Sequence, residues 1–183
     1  DILVNNAGVV HGGRFGDVGL EDHLETVDVN LAGVVRTTHV FLPDLCAGDS
    51  GRLVNIASAS GFVGLPWGVT YAATKWAVIG FSEGLRQELR ETGCDRVVVT
   101  AVCPAYIETG LFRGAAPPRL TRALAADEVA RRTVLAMCRG RRRLLLPWLV
   151  RTAPWMVALP SWLADPLSRL LRVSTSMRSW RGR

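Results

Sequence analysis

An α/β fold built on a parallel sheet is what this sequence of 183 residues predicts. Two observations carry that reading. Three short runs, at 2–4, 52–57 and 97–103, are apolar almost throughout. Stretches with helical spacing separate them. Strands that are apolar on both sides need cover on both faces, and intervening helices supply it.

Each element has its own signal. Residues 2–4 read as a buried strand that ends at Asn5-Asn6-Ala7-Gly8. A loop with Gly12, Gly13 and Gly16 follows. Residues 20–29 mix polar and apolar side chains at helical spacing, and 31–45 form a longer helix. Gly48-Asp49-Ser50-Gly51 is a turn before the second strand at 52–57. A Gly-rich loop at 58–69 leads to a strong helix over 70–92, closed by Gly93. The third strand, 97–103, stops at Pro104. A looser segment at 105–125 carries Pro117-Pro118. Asp127 is expected to cap a helix reaching about Arg139, and 144–146 is a last short strand.

Composition bounds the function. About half the residues are hydrophobic and no low-complexity tract occurs, which excludes a disordered chain. The net charge of +6 is uneven. Residues 139–183 hold ten Arg against the single acid Asp165, while 1–138 carry a net −3. Basic charge confined to a tail points to an anionic surface. Nothing in the body has the form of a nucleic-acid-binding motif, so no nucleic-acid partner is expected. Cys46, Cys94, Cys103 and Cys138 lack Cys-x-x-Cys spacing, and His11, His23 and His39 are scattered. No metal site is expected, and the cysteines are read as reduced thiols of an intracellular protein. The chain opens at Asp1 on an apolar run without the n-region of a signal peptide, which suggests a start inside a domain.

The most informative residues are Tyr71 and Lys75, four apart in Tyr71-Ala72-Ala73-Thr74-Lys75. Positions i and i+4 share a helical face, so the ammonium comes near the phenol. A cation there is expected to lower the phenol's pKa from near ~10 and suit it to acid/base work. Ser58 follows the second strand, thirteen residues before Tyr71, with Ser60 as a neighbouring competitor. Asn30 sits at the junction of two helices, as helix cap or as site residue. Asn5 suits a structural role between strands. Pro104-Ala105-Tyr106-Ile107-Glu108-Thr109 follows the third strand.

This ordered set, over about residues 1–140, resembles the short-chain dehydrogenase/reductase family. The resemblance implies a Rossmann-like, doubly wound parallel sheet. It implies Tyr71 as catalytic acid/base, with Lys75 lowering its pKa and holding the nicotinamide ribose. It implies Ser58 as hydrogen-bond partner of the substrate oxygen. Asn30 would anchor a water that links Lys75 to solvent. Asn6 would lie near the adenosine ribose, and Ile107 and Thr109 near the nicotinamide, with helix capping the alternative for Thr109. The cofactor would be NAD or NADP, and the helices at 31–45 and 70–92 would pair in a homodimer.

Two departures stand out. Ala105 replaces the Gly usual after Pro104. The strand, Gly-x-Gly-x-x-Gly-type turn and helix that bind pyrophosphate do not occur, so the sheet is expected to be incomplete. Domain organisation follows: 1–146 is the catalytic part of a dinucleotide-binding domain, and 147–183 is a basic, Trp-rich extension.

That extension has three readings. Residues 144–164 are long enough to span a bilayer, but Arg151 and three prolines interrupt them. Broken helices mixing Trp, Leu and Arg suit a membrane interface. A lid over an apolar substrate is the third. The leading functional expectation is an oxidoreductase exchanging a hydride between the cofactor and an apolar alcohol or ketone. These residues alone would be weakly active or inactive. It would be cytoplasmic, or peripheral at a membrane surface. The alternative is a non-enzymatic remnant acting by dimerisation or membrane-surface binding.

Overall fold

Four parallel strands form one sheet in sequential order: β1 (Ile2–Asn5), β2 (Arg52–Ile56), β3 (Val98–Pro104) and β4 (Arg143–Leu146). The structure is a computed structural model and describes residues 1–181. Register sets Leu3 beside Leu53 and Leu53 beside Val99, and Asn5 beside Asn55 and Asn55 beside Ala101. Alternation along each strand then divides the side chains between two faces.

The first face carries Leu53, Val99, Ala101 and Cys103, and two helices cover it. Val34 of α2 (Gly33–Ala47) and Val78 and Ile79 of α3 (Val69–Glu91) pack with Ala101 and Cys103. Leu45 and Leu89, near the far ends of those helices, pack with Leu53 and Val99. The second face carries Val54, Val102, Leu144 and Leu146, and α4 (Ala126–Cys138) covers it with Val129 and Ala136. Helices on both faces of a parallel sheet make the fold Rossmann-like, as the apolar runs imply. Cover ends at β1, where Ile2 and Val4 are 56% and 48% exposed.

The interior of the first face is not wholly apolar. The Thr37 hydroxyl donates to Asn5 Oδ1 at 2.6 Å, and Asn5 Nδ2 donates to Asn55 Oδ1 at 2.8 Å. Asn55 Nδ2 donates to Ser82 Oγ at 2.9 Å, and Ser82 Oγ donates to the Val78 carbonyl at 2.7 Å. This ladder, buried apart from the exposed Thr37, ties α2, β1, β2 and α3 together. Every amide in it is partnered, as burial of polar groups requires. Asn5 is thus built into the fold between strands.

Several expectations need correction. The helix starting at Leu20, α1 (Leu20–Val27), does not break before α2. It continues through one wider turn, Asp28–Ala32, which holds Asn30. Asp127 does not cap α4; Ala125 occupies that position, and Asp127 and Glu128 lie in the first turn, where carboxylates face the positive end of the helix dipole. Cys46 and Cys94 are not free thiols but a disulfide joining the end of α2 to the turn after α3. Cys103 and Cys138 are free.

Residues 144–164 do not form one span. They divide among β4, a tight turn at Trp148–Thr152, α5 (Ala153–Ala158) and the start of α6 (Ser161–Leu170). Among the described residues no helix is long and apolar enough to cross a membrane. The last two residues of the 147–183 extension lie outside the described residues.

Candidate active site

The helix over Tyr71 and Lys75 forms as the sequence predicts, and both side chains are buried. Lys75 Nζ lies 5.6 Å from the centre of the Tyr71 ring. The ammonium donates to the Ile56 carbonyl at the end of β2, at 2.9 Å. Ser58, two residues past that strand, is buried, and its hydroxyl accepts from the Ser60 amide at 3.1 Å. It thereby caps the short turn Ala59–Phe62. Gly61 lets this turn sit on α3, since a Cβ there would lie 2.8 Å from the Lys75 carbonyl oxygen. The strand end, the turn and the helix therefore fix Ser58, Tyr71 and Lys75 together.

Ser58 and Tyr71 line a cavity of about 120 Å³. Ser60 and Tyr106 line it too, and the hydroxyls of both are buried without a hydrogen-bond partner. Phe112 stands edge-on to both phenol rings, at centroid distances of 5.7 Å to Tyr71 and 5.1 Å to Tyr106. The tail supplies the rest of the wall, including Leu149, Val150, Met156 and Val173. Met177 and Trp180 pack behind Tyr71 with Val10 and Leu65, and the Trp180 indole donates to the Leu111 carbonyl at 3.0 Å.

Asn30 is fully buried beside Thr74 of α3. Its amide accepts from the Val9 amide at 2.8 Å and donates to the Val9 carbonyl at 2.9 Å and to Thr74 Oγ1 at 3.3 Å. It clamps the loop after β1 and does not cap α2. Gly8 lies over this group: a Cβ there would be 3.3 Å from Asn30 Oδ1 and 3.6 Å from Lys75 Nζ.

Electrostatics corrects one expectation. Burial raises the Tyr71 phenol well above its usual value, more than the Ser58 hydroxyl lowers it. The same burial pushes the Lys75 ammonium down to about 8. The cation does not dominate the phenol, because Nζ is drawn to the Ile56 carbonyl while the phenol is closed in apolar walls.

The remaining predicted residues stand apart from this cluster. Asn6 is exposed at the end of β1. Ile107 is half-buried and bridges Leu124, against the α4 side of the core. Thr109 is exposed in a run of turns, and no helix begins there for it to cap. His11 lies between Asp22 and Glu25, at 3.5 and 2.8 Å, with each ring nitrogen facing its own carboxylate.

Tyr106 and Phe112 were not singled out from the sequence. Tyr106 had a signal, because it directly follows the end of β3, where side chains of such sheets meet ligands. Phe112 and Met177 had none.

A family model described as short chain dehydrogenase matches residues 1–119. The chain belongs to the short-chain dehydrogenase family. Human 17-beta-hydroxysteroid dehydrogenase 13 is 30% identical over 146 residues, 80% of this chain and 48% of that protein. The chain thus spans about half the length of this relative. Among solved structures, a short-chain dehydrogenase from Sphingobium yanoikuyae in complex with NADPH superposes with a TM-score of 0.70 at 27% identity, covering 92% of this chain and 62% of the other. One from Burkholderia phymatum in complex with NAD gives 0.73 at 29% identity, covering 83% and 63%.

Proposed function

We propose that this chain carries the proton-transfer half of an oxidoreductase that exchanges a hydride between NAD or NADP and an apolar alcohol or ketone. The observation that carries the reading is the meeting of Tyr71 and Ser58 on one apolar cavity. A ketone seated there would place its oxygen between two hydroxyls. Tyr71 keeps its proton at neutral pH and is able to deliver it to that oxygen. Ser58 donates the second hydrogen bond and stabilises the negative charge that develops. A hydride added at carbon and the Tyr71 proton added at oxygen together make the alcohol.

The residues present fit a nicotinamide cofactor. An ammonium has three donors, and Lys75 gives one to Ile56, so donors remain for a hydroxyl-bearing ribose. Among the described residues no carboxylate pairs with this buried cation. Gly8 leaves the approach to Lys75 and Asn30 clear of a side chain. The cofactor, when bound, supplies or accepts the hydride. Asn6, Ile107 and Thr109 would meet its other parts. Solved relatives complexed with NADPH and with NAD support this cofactor class without choosing within it. A relative named for hydroxysteroids supports an apolar substrate. Exposed Val35, Val40 and Phe41 on α2 and Trp76 on α3 support a homodimer through those helices.

No strand, Gly-x-Gly-x-x-Gly-type turn and helix unit lies within the sequence, so turnover by these 183 residues is expected to be slow. A sensitive assay follows deuterium from 4-deuterated NADH or NADPH into alcohol products by mass spectrometry. Label is expected in the products of apolar ketones and reduced about a thousandfold with Tyr71→Phe. Equal labelling by Tyr71→Phe would refute the mechanism. No labelling from any ketone would favour a non-enzymatic role.

A further inference from the structure

A groove of about 590 Å³ runs along the outer edge of the sheet, between α4 and β4. Five guanidinium groups line it, from Arg132, Arg139, Arg141, Arg143 and Arg151, and no acidic side chain does. Arg132 is paired with Glu128 at 2.9 Å, and Arg143 faces Glu83 at 3.7 Å. Arg139, Arg141 and Arg151 have no carboxylate within ion-pair distance among the described residues. The groove's floor is aliphatic, with Ala136, Leu144 and Leu146 buried beneath it.

Like charges gathered over an apolar floor create a strong local positive potential. Guanidinium forks match the oxygens of phosphate. The rim adds a second signal. Trp148 and Leu135 line the groove and are exposed, Trp148 by 69%. Farther along the tail and outside the groove's lining, Trp155 on α5 and Trp162 on α6 are 74% and 72% exposed, and neither helix has a buried residue. Indole and aliphatic side chains beside arginine are the composition of a membrane-interface contact.

We propose that this groove seats the phosphate-bearing headgroups of anionic lipids and docks the chain on an anionic bilayer. The docking surface thus includes the body of the fold, through α4 and β4, and not the tail alone.

Flotation of the 183-residue chain with vesicles tests this. Vesicles of phosphatidylcholine mixed with phosphatidylserine should bind the chain, and phosphatidylcholine alone should bind it far less. Added salt should weaken the binding. Replacing Arg139, Arg141 and Arg151 together by Gln should lower the affinity about a hundredfold, at roughly fivefold per charge. The same loss of charge at Arg14, Arg90 and Arg96 should cost much less. Circular dichroism of both triple variants checks the fold. Four results would each overturn the proposal. They are equal binding to both vesicles, an equal loss in the control variant, displacement of the vesicles by millimolar inorganic phosphate, and tighter binding of single-stranded RNA that the groove variant abolishes.

Discussion

Tyr71 and Lys75 stand one turn apart on α3, yet they sit in different surroundings. The phenol side is apolar, walled by Leu65, Phe112 and the tail. The ammonium side is polar, facing the Ile56 carbonyl and the approach past Gly8 to Asn30. Burial acts on both and drives both toward neutrality, raising the phenol and pushing the ammonium down to about 8. An opposite charge within ~4–6 Å moves a pKa by about 1–3 units. Full burial moves a group by up to ~3–5 units, so the environment outweighs the neighbour. A shared helical face brings the pair together but does not by itself set their protonation.

The sharpest way to separate the two sides is turnover. Tyr71→Phe removes the phenol proton assigned to the reaction and should lower deuteride transfer by about a thousandfold, in the range typical of general acids. Its melting temperature should stay close to that of the parent chain. A variant that lost stability and activity together would mean that the phenol braces the fold instead of serving the reaction.

The phenol side also depends on the tail. Met177 is fully buried against Tyr71, Ala72 and Val10. Met177→Ala should cost about 2–5 kcal/mol, as cavity-forming changes do. Thermal denaturation reads this directly. No change would mean that the tail does not seat on the body in solution.

The ammonium side rests instead on the Asn5–Asn55–Ser82 ladder. Asn55→Ala leaves Asn5 and Ser82 short of a partner in the interior and should cost about 2–3 kcal/mol. Because the ladder braces β1 and β2, this loss should appear in urea unfolding.

These two sides were not equally legible in the sequence. The strands and helices of the body follow from periodicity, because each apolar run has one sheet position that buries it. The family resemblance carried by their order also placed Ser58, Tyr71 and Lys75 in one site. The phenol's pKa was misread, because the sign depends on which walls close around the ring, and those walls come from residues about a hundred positions away. Nothing in Met177 or Leu149 marks them as neighbours of Tyr71. The Cys46–Cys94 pairing was missed for a similar reason: only the packing of α2 beside α3 brings the two sulfurs together. The arginine groove was half visible. The basic tail was plain, but Arg132 joins it only through the placement of α4 beside β4.

The smallest effect tests the ammonium alone. Lys75 is the only lysine in the chain, so the 13Cε signal of labelled lysine reports one group. It should titrate near 8, well below the ordinary lysine value. The sign of the linked stability follows. Below pH 8 both folded and unfolded chains hold the proton, and the fold bears the cost of a buried charge. Between about 8 and the ordinary lysine pKa of ~10.4, the unfolded chain binds more protons, so stability rises with pH. Cys103 and Tyr71, both raised by burial, act oppositely at higher pH, where the unfolded chain gives up protons that the fold retains. Comparison with Lys75→Met removes those shared terms. The variant should melt a few degrees higher than the parent at pH 7, at roughly 2–4 °C per kcal/mol for a chain of this size. That gap should narrow as pH rises through 8 and 9. A gap independent of pH would mean that the ammonium is solvated in the free chain, and that the contrast between the two sides of α3 arises only when a ligand closes the site.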